Sequence, residues 1–219
     1  MREGVGLLLV GGEGPHRAVL EPLLRSVVFT VAADSGFDLA RRLALVPDML
    51  VGDFDSLAPS KQLREFPEQR IRRYPRDKDE SDAEIGLHLL WDMGIERVVV
   101  AGGGGGRLDH LLGLVALFER ARRPAVWYTA REEVLVVEGT HTVSGCKGQT
   151  VSFFPLGGSA SGMSSTGLKW PLDGLEWERG DMGLSNVFEQ DRCSISVAQG
   201  RLLMVRTLVG DQDARKDQA

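Results

Sequence analysis

The sequence predicts an α/β protein that continues into a smaller, all-β part. In the first 130 residues, short apolar runs alternate with helical patterns. These runs are apolar throughout, as suits a parallel sheet covered by helices on both faces. After about residue 130 the runs become partly alternating and are separated by glycine clusters, which is typical of antiparallel strands. We therefore predict an α/β domain over residues 1–130, an antiparallel β domain, sandwich or barrel-like, over 131–211, and a mobile polar tail over 212–219.

The elements of the first part follow from local signals. Predicted strands cover 6–10, 27–33, 48–52, 97–102 and 125–129. Between them, Ser81 and Glu84 have capping-box spacing at the start of a helix that Gly94 would end. A second helix follows Arg107 and stops at Pro124, with an apolar stripe expected to be buried, comprising Leu108, Leu111, Leu112, Val115 and Phe118. This order of strands and helices predicts a Rossmann-like parallel sheet.

The second part offers shorter signals. "HTVSG", "QTVSFFPL", "LEWE", "CSISVA" and "RLLMV" read as strands, and no convincing long helix interrupts them. Cys146 and Cys193 are too few for a disulfide framework and lack metal-ligand spacing, so we interpret them as reduced core residues.

Composition excludes some classes of function. The chain has 219 residues, and its 26 basic and 31 acidic residues give a formal net charge of -5. This leaves no broad positive field of the kind that holds nucleic acid. The N-terminal stretch lacks a signal-cleavage pattern, and no apolar run approaches the about 20 residues needed to cross a bilayer. We predict a cytoplasmic protein that binds neither nucleic acid nor membranes.

Acidic residues follow two of the predicted strands. Asp34 ends the second, and Asp53 and Asp55 follow the third, so all three lie at the sheet edge where α/β proteins bind ligands. Side chains at i and i+2 of an extended segment point the same way, and two like charges repel unless a cation lies between them. Magnesium suits such carboxylates, with substrate phosphates and water as further ligands. For Asp34 alone, an N-cap is an equally good interpretation.

The segment "YPRDKDESD" leads to the same edge, because the next helix starts at Ser81. It adds Lys78, Asp79 and Asp82 to the candidate site. Simpler interpretations remain open: Asp82 would complement the helix dipole, and Lys78 with Asp79 would form a solvated pair.

Five glycines, 102 to 106, precede Arg107 and Asp109. Gly104, Gly105 and Gly106 would let backbone N–H groups approach an anion at a helix N-terminus, and Arg107 would clamp a phosphate oxygen. Asp109 would cap the helix, contact a substrate, or both. Carboxylates for a metal, a glycine loop and an arginine together indicate phosphoryl transfer without naming the acceptor.

Two other enzyme classes share parts of this pattern. Glycines 11, 12 and 14 echo a dinucleotide fingerprint, but Pro15 and His16 lie where that motif needs small residues. "DFDSL" resembles the nucleophile loop of haloacid-dehalogenase-like phosphatases, with Asp53 as nucleophile. That loop normally follows the first strand, whereas here it follows the third.

Taken in order, four stretches resemble the thiamine pyrophosphokinase family. They are "ADSGFDLARRLALVPDMLVGDFDSL", "KDESDAEIGLHLL", "GGGGGRLDHLL" and, in the β part, "GLKWPLDGLEWERGDMGLSNVF" followed by "ISVAQGRLLMV". The family transfers a diphosphate from ATP to the hydroxyethyl group of thiamine, giving thiamine diphosphate and AMP. The resemblance also implies a homodimer, with each thiamine site shared between the α/β domain of one subunit and the β domain of the other.

The resemblance implies roles for individual residues. Asp53, Asp55 and Asp82 match the acids that bind Mg²⁺. Positions implied to face ATP are Asp34, Lys78, Asp79, the glycine loop and Arg107, with Asp109 near the substrates. Those implied to receive thiamine are Trp170, Ser185 and Asn186. The chain departs from the family at Gly113, where asparagine is frequent, and at Lys78, where some relatives carry glutamine. Alternatives left open are a diphosphokinase for another small alcohol such as a pterin, the phosphatase, and a protein that binds without turnover.

Overall fold

The computed structural model describes residues 3–54 and 61–208, which divide into two compact units. The first unit takes the chain up to Val115 together with Arg122–Ala130, and the second takes Ala116–Ala121 and the chain from Arg131 onward. Asp55 and the tail over 212–219 lie outside the described residues. Over the described ranges, no helix has both the length and the apolar character needed to span a bilayer.

The first unit is built on a parallel sheet, as predicted. Its strands are β1 (Val5–Leu9), β2 (Val27–Ala33), β3 (Met49–Gly52), β4 (Ile71–Arg73), β5 (Arg97–Ala101) and β6 (Val126–Tyr128). They lie in the order β6-β5-β1-β2-β3-β4, and each neighbouring pair is parallel. The chain therefore builds outward from β1 through β4 and then returns to the other side of β1 with β5. Strand β1 is buried along its whole length, which explains its uninterrupted apolar sequence.

Helices connect these strands. They are α1 (Arg17–Leu24), α2 (Gly36–Arg42), α3 (Lys61–Glu65), α4 (Asp82–Asp92) and α5 (Leu108–Leu117). The predicted capping box of α4 is confirmed: Glu84 N donates to Ser81 Oγ at 3.3 Å, and Ser81 N donates to Glu84 Oε2 at 2.8 Å. Gly94 has φ +79° after the last turn, and its N–H donates to Trp91 O. Both ends of α4 are thus set by local sequence.

The prediction for α5 was partly wrong. The helix ends at Leu117, well before Pro124, and Leu108 and Leu112 are 69% and 60% exposed. Leu114 and Leu117 are the buried apolar residues of the helix, and Phe118, directly after it, is buried as predicted. With about 3.6 residues per turn, Leu112 lies about 200° around the helix axis from Leu114, so the predicted stripe was centred on a different side of the helix from the side that is buried.

The second unit is an antiparallel β structure. Its strands are β7 (Glu132–Ser144), β8 (Thr150–Pro155), β9 (Ser164–Thr166), β10 (Gly183–Val187) and β11 (Arg192–Thr207). Strand β11 pairs with β7 along its length, with a register shift between Val197 and Leu202. On its other side it pairs first with β9 and then with β8, and β10 pairs with β8. The predicted strand at 175–178 was wrong: Trp177 forms only an isolated bridge with Ala160.

Two polar features lie inside the second unit. Cys146 and Cys193 are buried free thiols whose sulfurs lie 3.8 Å apart, which confirms the prediction of reduced core cysteines. Burial, and then the Cys193 thiol, raise the pKa of Cys146 to about 11. Arg206 donates to the buried carboxylate of Glu133 and, at 3.0 Å, to Gln149 Oε1, so this buried charge is paired.

Candidate functional site

Three carboxylates meet at the carboxyl edge of the parallel sheet. Asp34 follows β2, Asp53 follows β3, and Asp82 is the first residue of α4. The ends of β2 and β3 are adjacent, because Asp34 N donates to Val51 O at 2.8 Å. The charges of Asp34 and Asp53 both act on Asp82. The structure therefore brings these three predicted residues together, whereas the predicted pairing of Asp53 with Asp55 involves a residue outside the described ranges.

Asp82 lies in an unfavourable place for a charge. Burial is the largest cause of its raised pKa, and the negative charges of Asp34 and Asp53 add to the shift. Lys78 opposes it, with Nζ 3.1 Å from Asp82 Oδ1. This contact is an ion pair by distance, but the buried Oδ1 has no well-directed hydrogen bond. A positive charge beside this oxygen would offset both the free-energy cost of burying the Asp82 carboxylate and its repulsion by Asp34 and Asp53.

This donor set fits magnesium. Carboxylate oxygens are the ligands that Mg²⁺ takes from proteins, usually one or two, with the remainder supplied by substrate phosphates and water. Among the described residues, which exclude Asp55, no three acidic, histidine or cysteine side chains are close enough to hold an ion by themselves. An ion held here would therefore need further ligands, such as substrate phosphates and water.

The backbone that carries these acids is strained. Asp34 has φ +46° and Phe54 has φ +61°, in the left-handed region that side-chain-bearing residues rarely adopt. Phe54 is buried, and the Arg73 guanidinium lies 5.3 Å from the centre of its ring. Gly52 has φ +144°, and a Cβ there would lie 3.3 Å from Asp34. Such strain is found at functional sites where packing holds the chain in place.

The glycine loop after β5 is tied to the loop after β1. Gly104 N donates to Glu13 O at 2.9 Å, and Glu13 N donates to Gly104 O at 2.7 Å. Gly102 N and Gly103 N also donate within the protein, to Tyr128 O and Gly11 O. Of the three glycines predicted to approach an anion, Gly104 therefore already uses its N–H within the protein. Gly105 and Gly106 are exposed.

Arg107 and Asp109 form a pair beside this loop. Arg107 donates from Nε and Nη2 to the two carboxylate oxygens of Asp109, at 3.1 and 2.5 Å. The hydrogen bond from Arg107 is the largest cause of the lowered pKa of Asp109. Both side chains are mostly exposed, so the guanidinium is held in place and accessible to a ligand. Asp79 is also exposed, whereas Lys78 is half-buried and donates to Pro75 O.

In the second unit, two of the three residues expected to receive thiamine are exposed and one is buried. The Trp170 side chain is 53% exposed, and the Lys169 ammonium lies 4.6 Å from the centre of its ring. Ser185 has φ +57°, and its N–H donates to Ser152 Oγ. Both Trp170 and Ser185 are accessible to a ligand.

Asn186, in contrast, is buried. Its Oδ1 accepts from Trp170 N at 3.1 Å and from Val187 N at 2.8 Å, while its Nδ2 donates to Trp170 O at 2.6 Å. The side-chain amide of Asn186 therefore holds the backbone of Trp170 by two hydrogen bonds. The sequence expectation of a direct contact with thiamine missed this use, because nothing in the spacing from 170 to 186 shows that the two segments are adjacent.

The chain matches two family models in succession. "Thiamin pyrophosphokinase, catalytic domain" matches residues 20–127, and "Thiamin pyrophosphokinase, vitamin B1 binding domain" matches residues 139–202. The first range contains the acid cluster and Arg107, and the second contains Trp170 and Asn186. Together the two matches cover most of the chain.

Individual relatives agree with these matches. The chain is 23% identical to the thiamine pyrophosphokinase of Bacillus subtilis (strain 168) over 184 residues, which cover 81% of this chain and 86% of the relative. The crystal structure of thiamin pyrophosphokinase from Geobacillus thermodenitrificans superimposes with a TM-score of 0.76 at 28% identity, covering 94% of this chain and 99% of that one. The structure of the Bacillus subtilis enzyme has a TM-score of 0.78 at 20% identity, covering 92% and 98% of the two chains, and supports the fold.

Proposed function

Because the chain belongs to the thiamin pyrophosphokinase family, we propose that it transfers a diphosphate from ATP to the hydroxyl of thiamine, giving thiamine diphosphate and AMP. The observation that carries this proposal is the succession of the catalytic and vitamin B1 binding models along one chain. The acid cluster, the glycine loop and Arg107 lie within the first match, where phosphoryl transfer requires charge neutralisation and positioning.

The proposal includes a dependence on magnesium. Asp53, Asp55 and Asp82 would hold the ion, and Asp34 would lie beside them. When bound, magnesium would neutralise the phosphates of ATP and stabilise the charge that develops on them. The support is local: the buried Asp82 carboxylate pairs with Lys78, and the neighbouring charges of Asp34 and Asp53 raise its pKa.

The chain's own residues orient the phosphates. Lys78, already 3.1 Å from Asp82, would bring its charge next to the triphosphate. Arg107 would replace its bidentate contact with Asp109 by one with a phosphate. Two phosphate oxygens can accept from the planar guanidinium in the same way as the two carboxylate oxygens do. The thiamine oxygen attacks the β-phosphorus, the bond to the α–β bridging oxygen breaks, and AMP leaves. A carboxylate of the cluster would take the hydroxyl proton.

Thiamine is proposed to contact the exposed face of Trp170. It is a cationic aromatic, and a tryptophan face attracts such cations by about 0.5 to 2 kcal/mol, depending on desolvation. Lys169 already lies against this ring at 4.6 Å, so thiamine would use the opposite face or displace the lysine. Ser185 would hydrogen-bond the pyrimidine, and Asn186 would fix the Trp170 backbone.

The homodimer and the cytoplasmic location expected from the sequence are part of the same proposal. Sedimentation analysis of the full chain tests the first, with a single species of twice the chain mass expected and a monomer as the contradicting result. Fractionation of cells that express the protein tests the second, with recovery in the membrane fraction as the contradicting result.

The function is tested by incubating the protein with ATP, magnesium and thiamine. AMP and thiamine diphosphate should appear in equal amounts, and only when thiamine is present. ADP as the nucleotide product, or turnover without thiamine, would contradict the proposal. A panel of other small alcohols, including a hydroxymethylpterin, tests the nearest rival: the rival is favoured if the pterin is used and thiamine is not. A beryllium fluoride complex formed on Asp53, which is an analogue of phospho-aspartate, would favour the phosphatase instead.

A further inference from the structure

Phe54 directly follows Asp53 and has an unusual backbone conformation. Its φ is +61°, in the left-handed region that residues with a side chain rarely adopt, bulky residues least of all. We propose that Phe54 and Arg73 are positioning residues that hold the chain after β3 so that Asp53 faces the acid cluster. The inference rests on the proposed function, in which Asp53 helps to hold magnesium.

The choice of phenylalanine at this position is the first argument. Glycine adopts positive φ values about as readily as negative ones, and the same loop has glycine at position 52, where φ is +144°. A larger residue in the left-handed region costs free energy, so the side chain must supply contacts that offset this cost. Burial of the ring supplies them, because Phe54 is buried in a core cluster with Phe37 and Leu50. The ring of Phe54 is thus anchored while its backbone is strained.

Arg73 contacts the same ring from the neighbouring strand. Gly52 and Arg73 are partners in the pairing of β3 with β4, and Tyr74 N donates to Gly52 O at 3.1 Å. The Arg73 guanidinium lies 5.3 Å from the centre of the Phe54 ring, within the about 6 Å of a cation–π contact. Its Nε lies 3.4 Å from Glu68 Oε1. The guanidinium is therefore held beside the ring.

Asp53 is fixed from both sides. Gly52 before it is bonded to the chain after β4 through its carbonyl, and Phe54 after it is anchored through its ring. With the ring held in the core, a change of Phe54 to a negative φ would have to move the peptide that joins it to Asp53. In the observed conformation the charge of Asp53 acts on Asp82. The left-handed conformation of Phe54 is therefore tied to the position of Asp53.

Phe66 offers a matched control. It packs against the same core cluster, the Arg70 guanidinium lies 5.3 Å from the centre of its ring, and its φ is not positive. A role in packing alone predicts that alanine is tolerated at least as well as glycine at either position, because glycine loses more backbone entropy on folding. A positioning role predicts the opposite order at position 54, since glycine adopts the left-handed region freely.

The test measures how much magnesium tightens the binding of inorganic tripolyphosphate to the full chain. Calorimetry gives the dissociation constants in magnesium and in EDTA for the wild type and for alanine and glycine variants of Phe54 and Phe66. Phe54→Ala should favour negative φ by about 5- to 30-fold and lose that factor of the magnesium-dependent gain. Phe54→Gly has no such preference and should keep a gain about threefold or more above that of Phe54→Ala. Both Phe66 variants should stay within about twofold of the wild type.

A second pair of variants keeps the ring. Arg73→Gln removes the cation–π contact, and Arg72→Gln removes the same charge from the adjacent, exposed position of β4. The magnesium-dependent gain should fall by about 2- to 5-fold in Arg73→Gln, as expected for an exposed cation–π contact, and should be unchanged in Arg72→Gln. If thermal unfolding shows that the Phe54 variants do not fold, this pair decides.

The inference is overturned if Phe54→Ala binds as tightly as Phe54→Gly, or if Arg73→Gln and Arg72→Gln behave alike. It is also overturned if the losses are as large in EDTA as in magnesium, because the two side chains would then not act through a metal-holding carboxylate. Failure of the proposed function is distinguishable from these results. The inference stands if the pattern appears in a chain that transfers no diphosphate, and it alone fails if transfer occurs without the pattern.

Discussion

Replacing Asn186 with alanine should weaken thiamine binding although Asn186 itself is buried. The Asn186 amide makes three hydrogen bonds, two to the backbone of Trp170 and one to Val187 N. Alanine removes all three and leaves the Trp170 N–H and C=O without these partners. The segment that carries the exposed Trp170 ring would then be free to shift.

The expected size follows from these contacts. Each net hydrogen bond contributes about 0.5 to 1.5 kcal/mol, so losing three in Asn186→Ala should lower the free energy of unfolding by about 1.5 to 4.5 kcal/mol. Trp170→Ala leaves the backbone contacts in place and removes a half-exposed ring, so stability should change little. It should raise the dissociation constant for thiamine by about 2- to 30-fold, the range expected for a cation–π contact.

A double-mutant cycle separates positioning from general damage. Urea unfolding and thiamine titrations are measured for both single variants and for the double variant. If Asn186 acts through Trp170, the double variant should bind thiamine no more weakly than Trp170→Ala alone. The affinity for ATP should remain near the wild-type value in all three. Additive losses of thiamine affinity, or an equal loss of ATP affinity, would refute the reasoning.

Three further perturbations follow from the structure. Asp53→Asn should lower kcat by about 100-fold or more with an unchanged melting temperature, because it removes charge from the proposed metal site; near-normal turnover would exclude the metal role. Burial lowers the pKa of His141, so the unfolded chain takes up its proton first, and stability should fall as the pH drops below about 6.5. His141→Gln should reduce this slope, by less than about 1.4 kcal/mol per pH unit, and an unchanged slope in urea unfolding would contradict the assignment. The Cys146 thiol, with its pKa raised to about 11, should react with a disulfide reagent at pH 8 only when the protein unfolds; rapid modification of the native chain would contradict its burial.

Features of the first unit that depend only on residues close together in the sequence were predicted correctly. The capping box of Ser81 and Glu84 and the turn at Gly94 depend on contacts within a few residues, and both are present. The acids after β2 and β3 meet because carboxyl ends of parallel strands share an edge. Strand β4 was not predicted, because "IRR" contains one apolar residue and lies at the edge of the sheet.

Features that depend on distant pairing could not be read from the sequence. Strand β10 was missed because "GLSNV" has weak alternation and is defined by its partner β8. The glycines after β1 were weighed only as a dinucleotide motif, whereas the structure pairs Glu13 in this loop with Gly104 in the glycine loop after β5. Asn186 likewise acquires its role from a segment 16 residues away.

The path of the γ-phosphate is the most direct test of the central claim. The full chain is incubated with thiamine, magnesium and ATP labelled in the γ-phosphate, and the products are separated. Intact transfer of a diphosphate predicts that the label appears in thiamine diphosphate as its terminal phosphate, in a one-to-one ratio with AMP. Label recovered as inorganic phosphate or in thiamine monophosphate would contradict the account.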